Sequence, residues 1–263
     1  MSRRNKDRPR PWQATASTNG NGHEHPRVFW IHLKERTTGF RALDYLLDVA
    51  GVCGAAGYIR IKMPYARTDL ARNLAIESFM AQSTNPNDVL VMLDNDHEIP
   101  PNTVERLASY EFGVTAALAY RRGDPFDPII FVRCADGAMR PIAIWEDGVV
   151  IECDMVGHGA IAIKRWVFDK LQAAGWGPPF YRYEYPEDGR RPSEDMYFGR
   201  ACETENIKHY CDTGLVIPHI IDDVVDDRKW RAWLEANPNQ TQPLDTIIKK
   251  AEGEAMPDLE VAA

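Results

Sequence analysis

The sequence predicts an α/β protein in which short strands alternate with helices. The apolar run Val89–Leu93 follows the turn-forming residues 85–87 and ends abruptly in polar residues, and a second apolar run covers 112–120. Unbroken apolar runs of this length are typical of strands that are buried on both faces of a sheet. Between the predicted strands, residues 68–80 carry apolar side chains at helical spacing, which indicates a helix packed on the sheet.

The remaining elements follow from the same patterns. Further strands are predicted at 28–33, 58–63, 129–132, 149–151, directly after Gly159, and at 207–217. Further helices are predicted around 43–49, 102–108, 166–171, after 193 and around 230–234. Thr68, Asn102 and Ser193 are expected to cap three of the helices, because short oxygen-bearing side chains accept hydrogen bonds from the free amides of a first turn.

Length and composition are those of a globular protein. The chain has 263 residues, of which 44% are hydrophobic and 27% charged, enough for one large domain or two small ones. We expect one domain over 27–221. A disordered basic arm is predicted at 1–26, and a helix followed by an acidic tail at 222–263.

Charge and cysteine content indicate which partners and which cellular compartment the sequence favours. A net charge of -8 argues against a protein that binds mainly through nucleic-acid phosphates or anionic lipid. Five cysteines without a C-x-x-C pair favour free thiols in a reducing compartment. No apolar stretch approaches the roughly 20 residues of a membrane span. We therefore expect a cytoplasmic protein.

Two acids stand at the end of the strand at 89–93. Asp94 and Asp96 are separated by one residue, and ligands of open α/β sheets bind beyond the carboxyl ends of the strands. Carboxylates held close together repel each other unless a cation lies between them, and hard divalent cations prefer oxygen ligands. The alternative is a solvated turn that only ends the strand.

Further polar residues occupy element ends. Arg72 and Asn73 lie near a helix start, where an anion is favoured, although Arg72 could instead pair with Asp69 or Glu77 on the surface. Arg121 and Arg122 follow the strand at 112–120 and are either diphosphate ligands or ordinary surface charges.

The second half of the chain adds three candidate sites. Gly157 and Gly159 flank His158 and allow either a close backbone approach to a ligand or a sharp turn. Glu194 and Asp195 open a helix, where acids also simply complement the helix dipole. His219 follows the strand at 207–217, and a single histidine in such a place is usually structural or solvated.

In this order, the motifs resemble those of the GT-A glycosyltransferases, family-2-like members in particular. The resemblance covers roughly residues 28–220. It rests on the sequences Ala71-Arg72-Asn73, Asp94-Asn95-Asp96, Gly157-His158-Gly159, Ser193-Glu194-Asp195 and His219. It implies a single GT-A domain, with a mixed, mostly parallel central sheet flanked by helices.

The resemblance also implies an activity: a metal-dependent, inverting transfer of a sugar from a nucleotide-diphospho-sugar donor to an acceptor hydroxyl. The cofactor is then Mn²⁺ or Mg²⁺, and an imidazole ligand suits Mn²⁺ better. Asp195 is implied as the general base. The implied metal ligands are Asp94, Asp96 and His219. The implied donor contacts are Arg72, Asn73, Asp94, Asn95, Gly157, His158, Gly159 and Glu194. The acceptor stays open, from lipids, glycans and proteins to small metabolites and modified DNA.

Three other functions compete. A haloacid-dehalogenase-like phosphatase also ends a strand in D-x-D, and Asp222-Asp223 resembles its late acidic pair, but its nucleophile strand usually comes first in the chain. A sugar-nucleotide pyrophosphorylase would carry a Gly-rich loop after the first strand, which this sequence lacks. A non-catalytic sugar-nucleotide-binding protein of the same fold also fits the motifs.

Overall fold

A seven-stranded mixed sheet forms the centre of the protein. The computed structural model describes residues 25–33, 40–146, 148–185, 192–221 and 224–238. In chain order the strands are β1 (Val28–His32), β2 (Ile59–Arg60), β3 (Val89–Leu93), β4 (Val114–Leu118), β5 (Ile130–Arg133), β6 (Met139–Pro141), β7 (Val150–Cys153), β8 (Met155–Val156), β9 (Ala160–Lys164), β10 (His209–Val216), β11 (His219–Ile220) and β12 (Val224–Val225). The central sheet has the order β2-β1-β3-β9-β4-β10-β7. Strands β7 and β9 run antiparallel to the other members, so the sheet is mixed and mostly parallel, as predicted.

Helices cover both faces of this sheet. They are α1 (Phe40–Ala55), α2 (Thr68–Gln82), α3 (Thr103–Ala108), α4 (Arg165–Ala173), α5 (Glu194–Thr204) and α6 (Asp227–Ala236). Phe79 of α2, Phe168 of α4 and Phe198 of α5 belong to one apolar cluster, whereas Val49 of α1 and Val104 of α3 belong to another. The α/β class is confirmed, and the architecture is consistent with a GT-A-like domain.

Some local expectations were wrong. The strand predicted at 58–63 is reduced to Ile59–Arg60, and the helix at 68 begins without a side-chain cap. Asn102 also makes no capping hydrogen bond. Ser193 does occupy the N-cap position of α5, but its hydroxyl binds the Asp195 carboxylate and caps no amide.

Two smaller sheets and α6 complete the described part of the chain. Strands β6, β5 and β8 form one sheet, and β11 pairs with β12. Trp230 of α6 is buried and stacks on Trp145 with ring centroids 5.5 Å apart, so the helix predicted around Trp230 docks on the domain. Residues 1–24 of the arm predicted at 1–26, and residues 239–263 of the predicted acidic tail, lie outside the described residues. Among the described helices, none has the length and apolar character needed to span a bilayer.

The register of the central sheet brings distant segments to one edge. Strands β1, β3, β4 and β10 run in the same direction, so their carboxyl ends share that edge. Strand β9 runs the opposite way, so the turn before it, 157–159, lies there too. The Asp94 amide donates to the Gly159 carbonyl (2.8 Å), which ties the D-x-D segment to the glycine turn.

Candidate functional site

A cleft of about 300 Å³ opens at this edge of the sheet. It is lined by nineteen residues from seven segments of the chain, among them almost all of the residues singled out from the sequence. These are Arg72, Asp94, Asn95, Asp96, Gly157, His158, Gly159, Glu194, Asp195 and His219. The fold therefore brings together side chains that lie up to about 150 residues apart in the sequence, as the order of the strands predicts.

Arg72 is the buried cation of the cleft. Its side chain is 3% exposed, and Nη2 donates to both carboxylate oxygens of Asp94 at 3.0 Å and to the His158 carbonyl at 3.4 Å. Its Nε lies 3.6 Å from Glu194 Oε1. Burial alone would lower the pKa of the guanidinium, but Asp94 and Glu194 raise it above its ordinary value. The surface pairing of Arg72 with Asp69 or Glu77 is thus wrong.

The Asp94 carboxylate forms an ion pair with the Arg72 guanidinium. Burial raises the pKa of its carboxyl to about 6, and Arg72 opposes that rise. Asp94 directly follows β3 in the chain. The negative charge of the nearby Glu194 raises the Asp94 pKa further. Arg72 is therefore the cation that allows Glu194 to be buried near the half-buried Asp94.

Three side chains form a cluster that could hold a metal ion. Asp96, His97 and His219 offer ligand atoms that all lie within 4.8 Å of one another. Two of them, Asp96 and His219, were implied as ligands by the resemblance, whereas Asp94, the third implied ligand, is outside this group. His97 was missed, although it directly follows the D-x-D motif in the sequence.

Backbone pairing explains how His97 joins the cluster. Residues 97 and 219 form an antiparallel bridge, flanked by the Ile220 amide donating to the Asp96 carbonyl (2.8 Å) and the Glu98 amide donating to the Pro218 carbonyl (2.9 Å). The two imidazole rings consequently lie close together, with centroids 3.9 Å apart and planes inclined by 32°.

The protonation of both histidines suits metal binding. His219 Nδ1 lies 2.6 Å from the Tyr120 carbonyl and must donate its hydrogen there, so Nε2 keeps its lone pair. Burial and the neighbouring His219 and Arg72 hold the pKa of His97 well below its usual value, which keeps that ring neutral.

The distances also fit a shared ion. Asp96 Oδ1 and His97 Nδ1 lie 2.8 Å apart, yet neither atom makes a hydrogen bond. Two ligands bound at right angles to one ion at about 2.1 Å would lie about 3 Å apart. Two neutral imidazoles and one carboxylate form a donor set that transition metals accept readily, so the residues present could hold a divalent metal ion.

Arg122 reaches the same carboxylate from the loop after β4. Its Nη2 pairs with Asp96 Oδ2, and its side chain is 57% exposed at the cleft. His219 Nε2 lies 3.8 Å from the same oxygen. The guanidinium of Arg122 therefore neutralises Asp96 here. Arg121 lies elsewhere, with its guanidinium over the Phe131 ring (5.9 Å).

The start of α5 supplies two acids of different character. Glu194 is 5% exposed beside Arg72, whereas Asp195 is half-buried at the cleft. Asp195 Oδ1 accepts from the Met196 amide (2.8 Å) and from the Ser193 hydroxyl, which fixes the orientation of the carboxylate.

Two predicted donor contacts have other partners. Asn73 does not line the cleft; its Oδ1 accepts from the amides of Phe180 (2.8 Å) and Tyr181 (3.0 Å), and its Nδ2 donates to the Tyr181 carbonyl (2.6 Å). The His158 ring packs against Tyr181 and Phe198, with Nδ1 3.0 Å from the Tyr181 hydroxyl. In the described structure, both residues hold the loop at 177–185 to the domain.

The glycines beside His158 make room for protein side chains. A Cβ at Gly157 would lie 2.6 Å from Ile129 Cγ2, and one at Gly159 would lie 2.8 Å from the His97 ring. The glycine at 159 thus allows His97 to lie against the turn, next to Asp96.

Buried neutral histidines predict a loss of stability in mild acid. Burial lowers the pKa of His209 to about 4, and it holds the pKa of His158 well below its usual value. In the unfolded chain both groups bind protons below about pH 6.5, so the free energy of unfolding should fall as the pH drops from about 6.5 towards 4. The expected slope is up to about 1.4 kcal/mol per pH unit for each histidine.

Urea unfolding between pH 7.5 and 4.5 measures this slope. His209→Asn is the matched variant, because asparagine does not titrate, and its slope should be flatter than that of the wild type. Equal slopes would mean that His209 is protonated alike in both states. The raised pKa of Asp94 acts in the opposite direction, and it is common to both proteins.

Comparisons with known proteins give structural neighbours alone. No protein-family model and no curated sequence matches the chain. The structure is similar to A197 from STIV, with 19% sequence identity, 74% of this chain and 86% of that chain covered, and a TM-score of 0.47. It is also similar to a glycosyltransferase involved in the glycosylation of the major capsid of PBCV-1, with 11% identity, 57% of this chain and 66% of that chain covered, and a TM-score of 0.31.

Proposed function

We propose that this protein is a metal-dependent glycosyltransferase that moves a sugar from a nucleotide-diphospho-sugar to an acceptor hydroxyl. The observation that carries the proposal is the composition of the cleft. A metal-binding cluster, a buried arginine and a half-buried carboxylate lie around one cavity at the carboxyl edge of the sheet. Each of these groups has a task in the transfer of a glycosyl group.

The donor diphosphate would lie between the metal-binding cluster and Arg122. Asp96, His97 and His219 would hold the divalent ion, which when bound stabilises the negative charge of the leaving diphosphate. The exposed Arg122 side chain would exchange its pairing with Asp96 for a phosphate oxygen, since guanidinium groups bind phosphates well.

The sugar and ribose would lie deeper in the cleft. The turn at 157–159 and Asn95 line the wall there, and Glu194 and Asp94 are held in place by Arg72. Both carboxylates can accept hydrogen bonds from ribose or sugar hydroxyls. In this assignment Asp94 binds the donor directly, and Asn73 acts by holding the loop at 177–185.

Asp195 would remove the proton from the acceptor hydroxyl. Its carboxylate is half-buried, oriented by the Met196 amide and exposed to the cleft. General-base catalysis of this kind contributes typically 10²–10⁴-fold. A base that acts on the acceptor, with no enzyme nucleophile, corresponds to an inverting transfer.

Asp195→Asn is therefore expected to bind the sugar nucleotide as the wild type does but to transfer sugar at least about 100-fold more slowly. Calorimetry with Mn²⁺ measures donor binding, and release of nucleoside diphosphate measures turnover. Wild-type turnover in this variant would remove Asp195 from the role of base. A parallel loss of donor binding would assign it to the donor site.

The same assay separates the competing functions. A panel of sugar nucleotides is incubated with and without EDTA, and release of nucleoside diphosphate that EDTA abolishes supports a glycosyltransferase. Hydrolysis of p-nitrophenyl phosphate would instead indicate a phosphatase, whose late acidic pair, Asp222-Asp223, lies outside the described residues. Donor binding without any release would indicate a non-catalytic binding protein.

A further inference from the structure

One half-buried tyrosine lines the cleft, and two exposed tyrosines lie close to its lining residues in the sequence. Tyr183 lines the cleft itself, and Tyr185 is 72% exposed two residues further on. Tyr65, 53% exposed, precedes Ala66 and Thr68 of the cleft wall. Apolar surface that is concentrated beside a cleft is typical of a ligand-binding surface.

The loop that carries two of these rings is anchored at its base. The Asn73 amide fixes the backbone of Tyr181, and the Tyr181 ring stacks on Phe198 with centroids 4.9 Å apart and planes 2° from parallel. Tyr183 and Tyr185 follow this anchor directly. A ligand would therefore meet rings that protrude from a fixed point, which lowers the entropy cost of binding.

Arg67 supports the same surface from the start of α2. Its guanidinium lies over the Tyr183 ring, 5.3 Å from the centroid, and binds Asp69 through two hydrogen bonds of 2.6 Å. Tyr185 also lies close enough to Arg67 to affect the pKa of the guanidinium. The Arg67 guanidinium thus supports the Tyr183 ring, and its charge is balanced by Asp69.

We propose that Tyr183, Tyr185 and Arg67 form the acceptor platform of the cleft, and that the acceptor is an uncharged carbohydrate. This inference rests on the proposed function. A sugar ring has a flat face of C–H groups and a rim of hydroxyls, which matches an aromatic ring that carries a hydroxyl at its tip. The rings therefore bury the C–H face, and the hydroxyls bind the polar groups around it.

The charges around the platform disfavour a polyanionic acceptor. Arg67 is neutralised by Asp69, and Glu184 is paired with Arg200 and lies 3.9 Å from Arg182. Glu194 and Asp195 are the next acids along the cleft. A surface with paired charges beside two carboxylates does not attract a polyanion, so a nucleic-acid acceptor is disfavoured.

The platform also lies close to the proposed general base, Asp195. The Tyr183 hydroxyl is near Glu194, and burial together with that carboxylate raises its pKa to about 12, so it stays protonated and able to donate. Glu194 precedes Asp195 in α5. A sugar stacked on Tyr183 would consequently present its hydroxyls next to the proposed base.

Direct binding tests the platform. Saturation-transfer NMR with p-nitrophenyl β-glucoside, β-galactoside and α-mannoside should show binding to the wild type and roughly tenfold weaker binding to Tyr185→Ala. Tyr185→Phe keeps the ring and should restore binding. Leu47→Ala is the matched control, because it removes an apolar side chain that is 61% exposed on α1, away from the cleft.

Donor hydrolysis is measured in parallel to separate the two proposals. In Tyr185→Ala the ratio of transfer to glycoside over transfer to water should fall about tenfold, and in Leu47→Ala it should not change. If the wild type releases no nucleoside diphosphate, the proposed function fails, while the NMR result still decides the platform. Wild-type glycoside binding in Tyr185→Ala, no glycoside binding by the wild type, or binding of a Ser/Thr peptide alone would overturn the platform.

Discussion

Replacing Asp96 with alanine is expected to weaken Mn²⁺ binding by at least about 100-fold and to abolish donor turnover. Asp96 supplies the one carboxylate of the cluster, and Asp96 Oδ1 and His97 Nδ1 are already at a separation that suits a shared ion. Changes beyond the ligands themselves typically cost 10–100-fold in metal affinity, so loss of the charged ligand should cost more. Electron paramagnetic resonance of Mn²⁺ without donor measures the binding, and nucleoside diphosphate release measures the turnover.

Arg122→Ala is the matched control, because it leaves the Asp96 carboxylate in place and removes the cation paired with it. Removing the guanidinium frees Asp96 Oδ2 from a competing cation, so Mn²⁺ should bind more tightly. The donor should bind more weakly, since a phosphate ligand is lost. The Asp96 side chain is 23% exposed, so we expect both variants to melt within a few degrees of the wild type. Unchanged Mn²⁺ affinity in Asp96→Ala would contradict the assignment of this cluster as the metal site.

His97→Ala tests the ligand that the sequence did not reveal. Its loss should leave a two-residue site with weaker Mn²⁺ binding, whereas a purely structural role would leave the Mn²⁺ spectrum unchanged. The sequence indicated a role for His97 only through its position directly after Asp96. Its role depends on the antiparallel bridge between 97 and 219, which joins positions 122 residues apart and leaves no local pattern.

The parts that were predictable have local causes. The five apolar residues of β3 are buried on both faces, and such a run can satisfy its backbone only inside a sheet. The position of Asp94 and Asp96 then follows from the direction of the strand.

The parts that were not predictable depend on the partner that each polar group finds. Asn73 and Arg72 are neighbours in one helix turn, yet one holds a loop and the other is buried in the cleft. Leu43 and Leu47 are exposed although the sequence of α1 is strongly apolar. Side-chain partners are set by tertiary packing, which periodicity does not encode.

Replacing Arg72 with methionine is expected to have the largest effect on stability. Methionine fills a similar volume without charge, and it leaves the buried Glu194 and the half-buried Asp94 without their shared cation. Removing one partner of a buried ion pair typically costs about 3–5 kcal/mol. The Asp94 pKa should also rise further above 6, because Arg72 is what lowers it now. Urea unfolding at pH 7 measures the loss.

A second substitution shows whether charge is the cause. The double variant Arg72→Met, Asp94→Asn lacks the uncompensated Asp94 carboxylate, so it should regain part of the stability that Arg72→Met loses. Asp94→Asn alone should be less stable than the wild type. Arg72→Lys should restore little, because one ammonium group cannot replace a guanidinium that contacts Asp94, Glu194 and the His158 carbonyl together. A loss below about 1 kcal/mol in Arg72→Met, with no coupling to Asp94→Asn, would mean that Arg72 contributes by packing alone. A strong coupling would mean that the Arg72 charge, which compensates Asp94 and Glu194 in the cleft, also stabilises the fold around them. The site and the stability of the domain would then depend on the same residue.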